Sequence, residues 1–246
     1  MNEKDFASML RQQESSIDVQ GRNRTITGMA FGTLMRKVYT WMTLALAITA
    51  GAAYYVAKSG LVYSLFNSGL IWGLIIAELV LVIALSAAIR KLSLTVATIM
   101  FVIYSLINGV TLSSIFMAYE IKTIGTVFLI TAATFGAMAV LGYTTKKDLS
   151  GMGRFMLIAL IGVIIATLVN IFLLKSAGFD LLLSYAGVLI FAGLTAYDTQ
   201  KIKEMCNSFE YADASAQKLA LLGALSLYLD FINLFIYLLR IFGRRN

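Results

Sequence analysis

Residues 214–242 read ASAQKLALLGALSLYLDFINLFIYLLRIF. At 1.5 Å of rise per residue, about 20 helical residues cross the ~30 Å hydrocarbon core of a bilayer, so this stretch can span one as a single helix. Its apolar run is broken near the middle by Asp230. On a 3.6-residue period Gly223, Ser226, Asp230, Asn233 and Tyr237 recur at alternating steps of three and four, forming one polar stripe on an otherwise apolar cylinder. That stripe cannot face lipid. A carboxyl at this depth costs a few kcal/mol or more unless it meets a partner, a cavity or a proton. The rest of the chain therefore reads as a setting for this helix.

The chain has 246 residues, 59% hydrophobic and 13% charged. Ordinary soluble domains carry about 25% charged residues, so the composition predicts an all-α, polytopic membrane protein. Proline is absent, and no span can carry a proline kink. Histidine is also absent, which removes the imidazole switch and the commonest metal ligand and leaves carboxylates as the titrating groups inside the membrane. The single cysteine, Cys206, permits neither an intramolecular disulfide nor a cysteine-built metal site. A net charge of +7 can indicate a nucleic-acid partner, but the bases lie at helix ends and in the tail, where membrane topology explains them.

Residues 1–37 read as a polar cytosolic tail, partly disordered, with Gly21–Thr25 breaking any long period; the apolar run starts too late for a cleaved signal peptide. Residues 38–246 form the membrane domain, with seven predicted spans near 38–57, 68–89, 93–118, 124–143, 155–175, 178–197 and 217–242. The tail and the second, fourth and sixth connections hold 14 Lys and Arg, against one each in the first, third and fifth (Lys58, Lys122, Lys175). This asymmetry puts the N-terminus inside, in a bacterial inner membrane on the family reading given below. Seven full crossings leave Arg240, Arg244 and Arg245 outside, so either the last helix is re-entrant or the other loops outvote them; its length favours seven crossings. The connection from Thr199 to Gln217 reads as a solvated loop.

Three of the thirteen acids fall within spans: Glu78 midway along the second, Asp198 at the close of the sixth, and Asp230 central in the seventh. No Lys or Arg lies deep in any span; Arg90, at the inner end of the second, is nearest. The sixth and seventh helices run antiparallel, which can bring Asp198 and Asp230 together, with Asp230 the deeper. Two carboxylates in a low-dielectric pocket cannot both ionise cheaply, so such a pair shares a proton and senses pH. It is also a seat for Ca²⁺, whose oxygen ligands lie at about 2.3–2.6 Å, with Asn233, Ser226 or water completing the shell. Blander roles compete with these. Glu78 serves equally as a pore-lining or a structural hydrogen-bonding group, and Asp198 as a helix-end residue capped by lysines. Tyr104, Asn108 and Thr111 form a polar face that can simply hold helices together.

The segments AYDTQKIK (Ala196–Lys203) and ALSLYLDFINLFIYLLRIFG (Ala224–Gly243) resemble the C-terminal signature of the Bax inhibitor-1, or transmembrane Bax inhibitor motif, family in a bacterial form. The resemblance implies a seven-helix fold with the last helix central and a pH-sensitive calcium leak gated at a pair of aspartates matching Asp198 and Asp230. It also implies a basic latch, for which Arg90 is the candidate, and a possible membrane-bound ATP-dependent protease as partner. The chain lacks a lysine-rich C-terminal extension, so no role in cell death is carried over.

An enzyme reading competes, because intramembrane aspartyl proteases also place Tyr-Asp on a sixth helix and Asp on a seventh. Tyr197 and Asp198 fit, but Leu227, Tyr228 and Leu229 stand where those enzymes have glycines, and their proline-containing motif is missing. A retinal protein is excluded because the seventh helix has no mid-span lysine. The sequence thus predicts a non-enzymatic calcium leak with no cofactor besides the calcium ion itself, with Asp198 and Asp230 as ion ligands and pH sensors. Glu78, Ser226, Asn233 and Tyr237 are the further pore candidates. The alternative is an interaction protein that modulates a membrane protease through its tail, the acids being structural.

Overall fold

In a bilayer every backbone N–H and C=O must be satisfied within the protein, and proline-free apolar runs do so as helices. The computed structural model describes the backbone of residues 3–243 and the side chains of residues 28–243; Arg244, Arg245 and the tail side chains before Gly28 lie outside the described residues. Among these residues the chain is helical without strands: α1 (Glu3–Lys58), α2 (Leu61–Asn67), α3 (Leu70–Ala88), α4 (Leu94–Leu112), α5 (Ile115–Ala118), α6 (Ile121–Thr144), α7 (Ser150–Val169), α8 (Ala177–Asn207) and α9 (Ala214–Phe242). Seven stretches are long and apolar enough to cross a membrane: Gly28–Lys58, Leu70–Ala88, Leu94–Ala118, Ile121–Thr144, Ser150–Leu174, Ala177–Asn207 and Ala214–Phe242.

Two boundaries differ from the sequence reading by ten residues, the first being the start of the first span, at Gly28 rather than near 38. The α1 backbone passes through Gly21–Thr25 without a break, since a lone glycine costs a helix only about 1 kcal/mol. The sixth span continues ten residues beyond the apolar run, to Asn207, so Asp198 sits inside α8 rather than at its end. The solvated loop predicted from Thr199 to Gln217 shrinks to residues 208–213. The extension is held because Thr199, Ile202 and Cys206, at helical spacing, are buried, and because Gln200 clamps the α6–α7 loop. Gln200 donates from Nε2 to Lys147 O at 2.9 Å and accepts from Leu149 N at 2.8 Å.

α9 is the central helix. Two-thirds (67%) of its most apolar stretch is buried, against 11–39% for the other spans. It packs against α1, α4, α6 and α8, while α3 packs on α4 and α7 on α8 as outer helices. Asp213 caps its N-terminus, accepting from Ala216 N at 2.7 Å. Small residues set the closest approaches: a Cβ on Gly109 of α4 would lie 2.5 Å from Thr49 O of α1, and one on Gly142 of α6 would overlap the Ala196 carbonyl of α8.

Candidate functional site: an acidic cavity between α7, α8 and α9

The stripe on α9 is lodged where the α8 and α9 backbones draw close. Gly223 faces Ile202 and Gly187 faces the Tyr237 ring, which fixes the antiparallel register. At that register Asp198 lies level with Ser226, and Asp230 lies one turn, about 6 Å, further from the α8–α9 loop. Both carboxylates line one cavity of about 440 Å³ with Lys201, Ser226, Asn233 and Tyr237, walled on the α7 side by Leu157, Leu160 and Ile164. It has room for several waters. A narrower space of about 70 Å³ adjoins it, sharing Asp198, Lys201 and Ser226 and lined also by Gly223, Met205 and Leu219, nearer the α8–α9 loop.

Asp230 is buried at 5% exposure, and its Oδ2 has no hydrogen-bond partner among the described residues. Asp198 is half-buried. Asn233 donates from Nδ2 to Leu229 O at 2.8 Å, which leaves its carbonyl oxygen as an acceptor. The cavity therefore offers oxygen donors of several kinds, but among the described residues no three acidic or cysteine side chains gather in a metal-binding group. A second cavity, about 90 Å³ between α1, α4, α6 and α9, is lined almost wholly by apolar side chains, among them Leu46, Phe128 and Phe235.

The chain matches the family described as "Inhibitor of apoptosis-promoting Bax1" over residues 32–246, which takes in all of residues 38–246. It belongs to that family. Among curated relatives, it is 53% identical over 217 residues to "Inner membrane protein YbhL" of Escherichia coli K12, covering 87% of this chain and 92% of that protein. It is 44% identical over 215 residues to an uncharacterized protein of Deinococcus radiodurans, covering 87% and 91%. An uncharacterized protein of Borreliella burgdorferi is 49% identical over 166 residues, covering 68% and 71%. The two signature segments of this Bax inhibitor family member are the parts of α8 and α9 that build the cavity.

Other sequence candidates lie elsewhere. Glu78 does not line the cavity; it faces α4, accepting from Thr111 Oγ1 at 2.5 Å and Asn108 Nδ2 at 3.3 Å. Asn108 Oδ1 in turn accepts from the Tyr228 hydroxyl at 2.9 Å, and that hydroxyl lies 2.7 Å from the Thr49 hydroxyl. The polar face of α4 thus joins α3, α9 and α1 in one network, the helix-holding role read for Tyr104, Asn108 and Thr111. Tyr104 contributes its ring, packed edge-on against Tyr228 with centroids 5.9 Å apart. Tyr228 and Thr49 were not legible as partners, because nothing local says which helix faces the back of α9.

Arg90 is exposed at the end of α3, where its carbonyl and that of Leu92 each accept from Lys218 Nζ at 3.1 Å. It borders a separate space with Ser215 and Lys218 rather than the aspartate cavity. The cation that lines the cavity is Lys201, one turn after Asp198, a neighbour that the loop reading of this segment obscured. At the opposite end of α9, Arg240 pairs with Asp180 at 3.5 Å, so a positive side chain there is compensated locally.

Proposed function

We propose that this family member is a passive, pH-responsive calcium leak of the bacterial inner membrane, N-terminus inside, with Asp198 and Asp230 as its ion-binding and pH-sensing groups. The single observation that carries this reading is a buried carboxylate oxygen of Asp230, unpartnered among the described residues, beside a second carboxylate on a cavity large enough for water. An acid that links helices has hydrogen-bond partners, as the half-buried Glu78 has. Asp230 Oδ2 stands ready for a proton or a cation.

A hard cation here meets two carboxylates, the Ser226 hydroxyl and the Asn233 carbonyl, and water must fill the remaining positions of a six- to eight-oxygen shell. Such a seat binds weakly and releases easily, as conduction requires. Protons and Ca²⁺ compete for the same oxygens, so raising the pH favours occupancy by the cation and shifts the closed–open equilibrium towards passage. The positive-inside asymmetry and the inner-membrane E. coli relative support the location. The test is calcium entry into liposomes holding the full-length protein, compared with empty liposomes of the same lipid. Entry above the empty control at neutral pH supports the leak; no excess at any pH rejects it.

A further inference from the structure

We propose that Lys201 is a tethered counter-cation that competes with Ca²⁺ for the carboxylate of Asp198 and thereby sets how tightly the cavity holds a divalent ion; the inference rests on the cation-site reading above. Lys201 lies three residues after Asp198 on α8, the spacing at which helical side chains are neighbours. It lines both the main cavity and the narrower space leading towards the α8–α9 loop, and in both it stands beside Asp198 and Ser226. Its ammonium sits 5.7 Å from the centroid of the Tyr197 ring, and Tyr197 lines the main cavity as well.

The charged residues lining this cavity are Asp198, Asp230 and Lys201; Arg240, the cation one turn beyond Tyr237, is engaged by Asp180. With the site empty of metal, the lysine neutralises part of the paired acids' charge. An entering Ca²⁺ must displace it, and because Lys201 is exposed on a long flexible stem it can swing out along the narrower space. The energetic logic is that of a site with two acids and one resident cation. A divalent ion gains two carboxylates but must first overcome a like charge on the same cavity lining, a repulsion that fades once the ammonium moves towards water. Arginine preserves this charge, whereas methionine preserves the stem without it. The lysine thus keeps the site loose and its occupancy short.

Terbium(III) is a calcium-sized probe whose luminescence is sensitised by nearby tyrosines, and Tyr197 and Tyr237 are adjacent to the site. The experiment titrates Tb³⁺ into full-length protein in detergent, then displaces it with Ca²⁺, for the wild type and for Lys201→Met, Lys201→Arg and Asp230→Asn. The inference expects Lys201→Met to lower the half-saturating Ca²⁺ concentration on the order of tenfold. Lys201→Arg should stay near wild type, and Asp230→Asn should lose the sensitised signal. Equal Ca²⁺ affinity in Lys201→Met and the wild type, with Asp230→Asn still silent, overturns the role of Lys201 and leaves the cation site standing. A signal absent from the wild type but present in Lys201→Met supports the competition directly. No sensitised binding in either protein removes both the competition and the cation site.

Discussion

Asp230 costs stability where it stands. A buried carboxyl without a hydrogen-bond partner is unfavourable by a few kcal/mol, and replacing such a group with an apolar one of similar size often stabilises a protein. Asp230→Leu is therefore expected to raise the thermal midpoint in detergent by a few degrees, corresponding to about 1–3 kcal/mol, while abolishing calcium entry. A midpoint that falls instead shows that the carboxyl is satisfied and structural. Tyr228, two residues away on another face of α9, behaves oppositely. Its hydroxyl links Asn108 and Thr49, so Tyr228→Phe should cost about 1 kcal/mol, the scale of hydrogen bonds between membrane helices. In combination with Thr49→Val the two losses should be less than additive, as a double-mutant cycle of melting temperatures checks.

Asp148 sits outside the spans, in the α6–α7 loop. Its carboxyl is held below the usual carboxylate range by hydrogen bonding to Ser150, through side chain and backbone. A lowered carboxylate contributes its stability above the ordinary value of about 3.9 and loses it only in stronger acid. A change in calcium entry near neutral pH accordingly does not originate there.

At the scale of elements, helix contacts depend on residues too small to carry a hydropathy signal. Gly142 and Gly136 lie on the same helix, yet a Cβ at Gly142 overlaps the Ala196 carbonyl while one at Gly136 meets nothing within 4 Å. Gly142→Ala should destabilise the protein by about 1–3 kcal/mol as α6 is pushed off α8. Gly136→Ala should be neutral or slightly stabilising, by helix propensity. Equal effects would contradict the close packing of α6 on α8.

The spans were legible because each is a long apolar run, and the polar stripe of α9 because it repeats at the helical period. The inner third of α8 was not. Its buried face is built from Thr199, Ile202 and Cys206 among lysines and a glutamate, so apolar content alone ends the span too early. The spacing of those three residues was the available signal. With α8 cut short, Lys201 read as part of a solvated loop, and Arg90 remained as the basic neighbour to consider. Glu78 is a pore candidate by its depth in the span, and depth says nothing of its neighbours. Only the packing of α3 on α4 shows that it turns to Asn108 and Thr111.

For the molecule as a whole, α9 is clasped by α1, α4, α6 and α8, and the acidic cavity lies on the side where α7 leans on α8. Movement of that outer helix is the least obstructed way to widen the cavity, since α7 buries only 11% of its most apolar stretch. A spin label pair on α7 and α9 should accordingly broaden in distance between acidic and neutral pH, while a pair on α4 and α9, tied by the Tyr228–Asn108 bond, should hold still. The tail offers a separate control. Deleting residues 1–27 should spare calcium entry if the helices alone form the leak.

The most direct test of the aspartate pair is calcium entry into proteoliposomes recorded across a pH series, with Asp198→Asn and Asp230→Asn beside the wild type. Wild-type entry should rise as the pair loses its shared proton, and either asparagine should flatten that pH dependence, because a single carboxylate has no proton to share. Wild-type entry that varies with pH but is unchanged by both substitutions would place the sensor elsewhere and contradict the assignment of Asp198 and Asp230.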